Sequence, residues 1–284
     1  MSLFDIFKKK SAGSKYEQVA EEIVPNEPAM QLVSLFFENK PEIDKEKILA
    51  ELKKRFDNVE ATDGDSSLAF SFPDYATEFS TGPVAAQGVV MVSDAEINID
   101  RFAAAFQQSW HWNDATTVME NCKYEVNLID MMSKGLTHQA RLDFFQKFLC
   151  AVVKAMDPAA VYFRNSEKLI EPCDMLQACD DEQPAFLHAA MSVRIFSLDN
   201  GEMLIDTLGL HTFGLPDFEC RFSKYEPGSI AGVLTDIAYY VFETGDAIRN
   251  NTTVQGIGKD PIWKTRYEDS KTEPARLVVN IFPN

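Results

Sequence analysis

The segment at residues 185–222 constrains the fold of this chain more than any other stretch. Residues 189–198 and residues 203–207 are rich in apolar and β-branched side chains, which favour β-strands. The sequence DNG at residues 199–201 separates them and tolerates the positive φ angles that a tight turn needs. The pattern therefore predicts a β-hairpin.

The stretch that follows the hairpin, residues 208–217, reads LGLHTFGLPD. Two glycines and a proline among apolar side chains favour neither a regular helix nor a regular strand. Such a loop must be held in place by the rest of the fold, and loops held in this way often carry function. Leu210, His211 and Phe213 are therefore candidate binding residues.

The spacing of apolar residues predicts an α+β fold along the rest of the chain. Its order of elements favours mixed or antiparallel sheets with helices packed on one face, in two similar sheet-and-helix halves. The predicted helices are residues 43–56, 100–110, 137–156 and 227–243. The further predicted strands are residues 30–38, 59–62, 68–72, 83–92, 122–132, 160–163, 218–222, 252–257 and 277–282.

Composition shifts divide the chain into four predicted parts. Residues 1–27 are expected to form a flexible tail, and residues 28–170 an N-terminal α+β half. Residues 171–184 contain two prolines and an acidic run, which are typical of a connector. Residues 185–284 are then the C-terminal α+β half. The two halves could form separate sheets or contribute to one continuous sheet.

The net charge of −17 narrows the classes of partner. A chain this acidic is not expected to bind nucleic acid, because phosphate neutralisation requires a basic surface. It would attract a basic protein partner instead. No apolar run reaches the length of a membrane span, and the chain begins without a signal-peptide pattern. Five cysteines without a C-x-x-C pair are typical of free thiols in a reducing compartment, so we expect a cytoplasmic protein.

Few residues have the spacing of a catalytic or cofactor site. His211 lies between Asp206 and Asp217 in the sequence, which makes it a candidate general acid or base. No H-x-x-x-H or C-x-x-C motif is present, so we predict no metal site. Nucleophile-elbow and phosphate-loop motifs are also missing, so we predict no cofactor. Trp110 and Trp112 flank a histidine and could either clamp a ligand or pack against a sheet.

Several short motifs resemble a known bacterial family. The fullest is DTLGLHTFGLPD at residues 206–217, and shorter ones are LKKRF, SWHW, DMMSKGL and AYY. Together they resemble the family catalogued as domain of unknown function number 4261, over roughly residues 30–284. The resemblance implies a bacterial cytosolic origin and an α+β fold. It implies no activity.

Two classes of function remain open. In the first, the protein is a non-catalytic acidic protein-interaction module whose surface and held loop engage a basic partner. In the second, it is an enzyme that acts on a small molecule with His211 as acid or base between Asp206 and Asp217. The second interpretation requires His211 to lie within hydrogen-bond reach of a carboxylate.

Overall fold

A computed structural model describes residues 26–63, 67–180, 185–245, 248, 251–258 and 262–283. The predicted tail, residues 1–27, lies outside the described residues except for its last two. The described strands are β1 (Leu32–Phe37), β2 (Glu60–Asp63), β3 (Ser67–Phe79), β4 (Gly82–Ser93), β5 (Tyr124–Met131), β6 (Ala160–Phe163), β7 (Lys168–Ile170), β8 (Ser192–Ser197), β9 (Met203–Leu208), β10 (Asp217–Phe222), β11 (Thr253–Gln255), β12 (Ile262–Asp269) and β13 (Leu277–Phe282).

The helices among the described residues connect and cover these strands. They are α1 (Lys45–Leu52), α2 (Ala103–Gln108), α3 (Ala115–Asn121), α4 (His138–Met156), α5 (Pro172–Asp180), α6 (Ala185–Ala190) and α7 (Pro227–Thr244). The α+β fold predicted from the sequence is confirmed.

The first sheet has seven antiparallel strands in the order β2-β3-β4-β5-β1-β6-β7. Helix α4 covers one face because its apolar residues, including Phe144 and Phe148, pack on the alternating inward residues of the strands. Gly88 allows the close approach, since a Cβ atom there would lie 2.6 Å from the Phe148 ring. A smaller apolar cluster around α2 and α3, with Phe102 and Trp112, packs on Phe36 at the other face.

The second sheet has six strands in the order β11-β12-β13-β10-β9-β8. Strands β10 and β13 are parallel and the remaining pairs are antiparallel, so this sheet is mixed, as predicted. Helix α7 packs on one face through a broad apolar stripe that includes Ile230, Leu234 and Ala238. Pro227 occupies the first turn of α7, where its missing N–H leaves no helical hydrogen bond unmade.

The hairpin of β8 and β9 forms as predicted, with Gly201 at a φ of 75° in the turn. Strand β8 begins at Ser192 rather than at residue 189, because the alanine-rich segment before it continues α6. The predicted connector at residues 171–184 holds α5, and its last four residues lie outside the described part. Pro172 begins that helix instead of ending an element.

The two sheets share one large buried apolar cluster. The end of α2 and the turn after it form hydrogen bonds to one edge strand of each sheet, β8 in the second sheet and β7 in the first. The Gln108 side-chain amide bonds both the N–H and the carbonyl of Ile195 on β8, at 2.9 and 3.1 Å. His111 Nε2 lies 2.9 Å from the carbonyl oxygen of Leu169 on β7. These contacts satisfy edge groups that would otherwise be open to pairing with another chain.

Within the described ranges, no helix is both long enough and apolar enough to cross a membrane.

Candidate functional site

The loop between β9 and β10 is closed by the carboxylate of Asp217. This side chain is fully buried and accepts hydrogen bonds from the Leu210 N–H at 3.0 Å and the Thr207 hydroxyl at 3.2 Å. Gly209 has a φ of 140°, and a Cβ atom there would lie 2.9 Å from the carbonyl oxygen of Ala190. The unusual composition of the loop therefore reflects a tight backbone path around a buried charge.

His211 and Asp217 are brought together as the enzyme interpretation requires. His211 Nδ1 donates to Asp217 Oδ2 at 2.7 Å, and the histidine side chain is 17% exposed. Burial alone would raise the pKa of Asp217, but the hydrogen bond from His211 and the charge of Arg276 outweigh burial and lower that pKa below its ordinary value. Asp217 is therefore ionised at neutral pH.

Asp206 is held by two arginines. Arg194 donates to both of its carboxylate oxygens, at 3.0 and 2.6 Å, and Arg276 donates to Oδ2 at 2.9 Å. The Thr272 hydroxyl adds a bond of 2.6 Å to the same oxygen. Asp206 is connected to Asp217 through Arg276, whose Nε lies 3.1 Å from Asp217 Oδ2. The three candidate catalytic residues therefore belong to one buried ionic network.

No local pattern in the sequence indicates the arginines of this network. Arg276 also donates to the carbonyl oxygens of Thr207 and Pro274, both at 2.9 Å. Arg194 extends the network to Glu167 at 3.0 Å. These partners come from β8, β9, the loop between β12 and β13 and, for Glu167, the turn between β6 and β7, so their proximity appears only when the two sheets are assembled.

A third buried arginine holds the same loop from the N-terminal half. Arg141 on α4 is 1% exposed and donates to Asp130 Oδ2, with its Nε at 2.8 Å. It also donates to the carbonyl oxygens of Thr212 at 2.8 Å and Ala29 at 2.5 Å. The loop is thus fixed between two ionic clusters, one in each half of the chain.

The predicted binding residues are distributed between core and surface. Leu210 is fully buried, Phe213 packs edge-on against the Phe242 ring, and Trp112 lies in the smaller apolar cluster. Trp110, by contrast, is 66% exposed. A partner at the surface could therefore reach Trp110 and part of His211, and would not reach Leu210 or Phe213.

The face of the mixed sheet opposite α7 forms a groove of about 850 Å³, here called the sheet groove. Strand register places Phe196, Leu204 and Arg221 side by side on β8, β9 and β10. Arg266 lies over the ring of Phe282 at 5.2 Å from its centroid. Aromatic rings, aliphatic side chains and charges thus alternate along the groove.

The charges in the wall of the sheet groove are balanced. The basic residues are Arg194, Arg221, Arg266 and Lys271, and the acidic residues are Glu167, Glu202, Glu268 and Glu273. Arg221 pairs with Glu202 and Arg266 pairs with Glu268, and both arginines are more than half exposed. The excess negative charge of the chain therefore lies outside the groove.

One group of three possible metal ligands occurs among the described residues, Glu171, Cys173 and Asp174 at the start of α5. All three are exposed and lie apart from His211. Exposed acidic groups of this kind are common without an ion, so the group adds nothing to the site.

Residues 206–282 match the model of a family described as Domain of unknown function (DUF4261). The match runs from β9 to β13 and includes Asp206, His211, Asp217 and Arg276. It confirms the family resemblance predicted from the sequence, and the bacterial origin stays a prediction. The chain matches no curated protein and no solved structure.

Proposed function

We propose that this chain, which carries the DUF4261 domain at residues 206–282, is a non-catalytic module that binds a partner protein in the sheet groove. The observation that carries the proposal is the groove itself. Its volume of about 850 Å³ is as large as that of a small-molecule pocket, which leaves room for several side chains of a partner. Its aromatic and arginine side chains are residue types enriched at protein interfaces.

The burial of the candidate catalytic carboxylates supports this proposal. Asp206 and Asp217 are both fully buried and accept bonds from arginines, hydroxyls and, in Asp217, backbone N–H groups. A substrate could reach them only if this network opened. Their simplest role is therefore to hold the loop and the sheet together.

The charge distribution supports a basic partner. A net charge of −17 attracts a basic protein over distances comparable to the Debye length. Since the charges in the groove are balanced, attraction comes from the surrounding surface and specific pairing comes from the groove. A cytoplasmic location is part of the same proposal, and the five cysteines, all free thiols, support it.

The proposal predicts that reversing two groove charges weakens partner capture. We expect Arg221→Glu with Arg266→Glu to reduce capture at least about tenfold, because both ion pairs in the groove become repulsive. The measurement is affinity capture from a lysate of the source organism at low and moderate salt, followed by titration of the purified partner. A basic partner should be released as salt increases.

The matched control is Lys53→Glu with Lys123→Glu. Both lysines are exposed and lie outside the groove, and the two double variants have the same net charge. An equal change in both variants, in either direction, would show that capture does not depend on the groove arginines in particular and would contradict a groove site. A partner that binds both variants as well as it binds the natural chain would also contradict it.

A second candidate function is an enzyme with His211 as acid or base. The bond of 2.7 Å between His211 and Asp217 favours it. Its test is whether the imidazole can be reached by a small reagent. Diethyl pyrocarbonate should modify His211 in the folded protein, as detected by peptide mass spectrometry. If His211 is modified only after unfolding, no substrate reaches it and this candidate fails.

A further inference from the structure

A small cavity of about 140 Å³ lies where the two sheets meet, and is here called the seam cavity. It is bounded by the end of α2, the edge strands β7 and β8, and one side of α7. Most of its surface is apolar, contributed by side chains that include Ala105, Leu169, Met191 and Val193. Its wall shares only Glu167 with the wall of the sheet groove.

Among the described residues, Lys168 is the only lysine or arginine in the wall of the seam cavity. Lys168 is 8% exposed, and its Nζ donates to the carbonyl oxygen of Met191 at 3.2 Å. Burial lowers the pKa of the Lys168 amine to about 8. The amine therefore remains mostly charged at neutral pH but loses its proton a little above it.

Two other titratable side chains lie in the wall, and each has a partner. Glu167 is bound by Arg194 at 3.0 Å, and His111 Nε2 lies 2.9 Å from the carbonyl oxygen of Leu169. Burial, and then the charge of Lys168, lower the pKa of His111 below its ordinary value. The residues of β8 and α7 in the wall are not titratable.

Trp110 forms part of the same wall. Its indole is 66% exposed, whereas Trp112, two residues later, is buried in the smaller apolar cluster. The Trp110 ring stands edge-on to the His111 ring, with centroids 6.0 Å apart. An exposed indole beside an apolar cavity offers a ligand a large apolar contact surface.

We propose that the seam cavity binds a small carboxylate that carries an aromatic or branched apolar group. The carboxylate lies at the Lys168 ammonium, and the apolar group contacts Trp110 and the aliphatic wall. The volume of about 140 Å³ is close to that of a cavity of about 150 Å³ that holds benzene in another protein, so it suits an apolar group of about that size, with the rest of the ligand reaching toward the exposed Trp110. The pairing fits as well, because charge-assisted hydrogen bonds between ammonium and carboxylate are stronger than neutral ones. This site is separate from partner binding in the sheet groove.

The test compares benzoate with its neutral counterpart, benzamide, by isothermal titration calorimetry. We expect benzoate to bind and Lys168→Met to weaken it at least about tenfold, with little change for benzamide. Methionine keeps the apolar stem of the lysine and removes the charge. The matched control is Lys264→Met, an exposed lysine on β12, which should leave both affinities unchanged. Trp110→Ala should weaken both probes.

The pH dependence of benzoate binding tests the natural chain without any substitution. Affinity should be constant up to about pH 8 and fall above it, because the carboxylate binds the protonated amine. Benzamide should show no such change. This measurement decides the question even if Lys168→Met does not fold.

Three results would overturn the proposal. The first is that benzoate does not bind at concentrations up to about 10 mM. The second is that Lys168→Met binds benzoate as tightly as the natural chain does. The third is that the affinity for benzoate does not fall above pH 8. Capture of a protein partner by Lys168→Met remains expected in each case, so failure here is distinguishable from failure of the sheet groove.

Discussion

Replacing Arg276 with methionine should lower the free energy of unfolding by about 3–5 kcal/mol. Arg276 is buried and bridges Asp206 and Asp217, at 2.9 and 3.1 Å. It also donates to the carbonyl oxygen of Thr207 at 2.9 Å. Removing it leaves two buried carboxylates with fewer donors and takes the arginine bond from the backbone carbonyl oxygens of Thr207 and Pro274, and each buried loss carries a desolvation cost.

The measurement is urea unfolding followed by far-ultraviolet circular dichroism at neutral pH. Arg276→Lys should recover part of the loss, since it keeps the charge without the planar set of donors. The matched control is Arg221→Met, which removes an arginine from an exposed pair with Glu202 and should cost at most about 1 kcal/mol. Equal, small losses in Arg276→Met and Arg221→Met would show that the buried network contributes little to stability.

Much of the fold could be predicted from local patterns in the sequence. The hairpin of β8 and β9 followed from alternating apolar residues around a turn that tolerates positive φ. Helix α7 followed from its apolar spacing and from Pro227 at its start. These features depend on a few neighbouring residues, so local sequence patterns are sufficient to predict them.

Two of the local differences involve Pro172 and the alanines at the end of α6, and the sequence patterns also do not predict α3 or β7. The prolines and the acidic run predict a connector at residues 171–184, and they do not indicate that Pro172 begins the helix α5 within it. The predicted strand includes Ala189 and Ala190, which belong to the end of α6, because a short apolar run does not separate helix from strand.

The site was harder to predict because its contacts join distant parts of the chain. His211 and Asp217 are six residues apart, so the sequence alone could suggest that their side chains form a pair. Arg276 and Asp206 are separated by 70 positions, and nothing local in either segment indicates the other. Similarly, Lys168 follows an ordinary polar turn, and its burial results from the meeting of β7 with the second half.

The second large effect is expected for Arg141→Met, at about 3–5 kcal/mol of unfolding free energy. Arg141 is 1% exposed and pairs with Asp130, which is fully buried. It also bonds the carbonyl oxygen of Thr212 at 2.8 Å, in the loop of the other half. The substitution therefore leaves a buried carboxylate with fewer donors and releases one of the contacts that fix the loop.

The effect on the loop distinguishes Arg141 from an ordinary core residue. Hydrogen exchange of residues 209–214, followed by mass spectrometry, should become faster in Arg141→Met under conditions where the protein stays folded. The reason is that the Thr212 carbonyl oxygen then loses its bond from Arg141 and keeps the Ala29 N–H, at 3.1 Å, as a donor from the N-terminal half. Hydrogen exchange within α7 should change less, because none of the hydrogen bonds described for Arg141 goes to that helix.

Lys154→Met is the matched control, because Lys154 lies on the same helix and is exposed. It should leave both stability and loop exchange close to those of the natural chain. If Arg141→Met speeds exchange evenly across the whole protein, Arg141 stabilises the fold without fixing the loop in particular. If exchange accelerates at residues 209–214 alone, the N-terminal half controls the order of the loop, and changes at α4 could alter the exposure of His211.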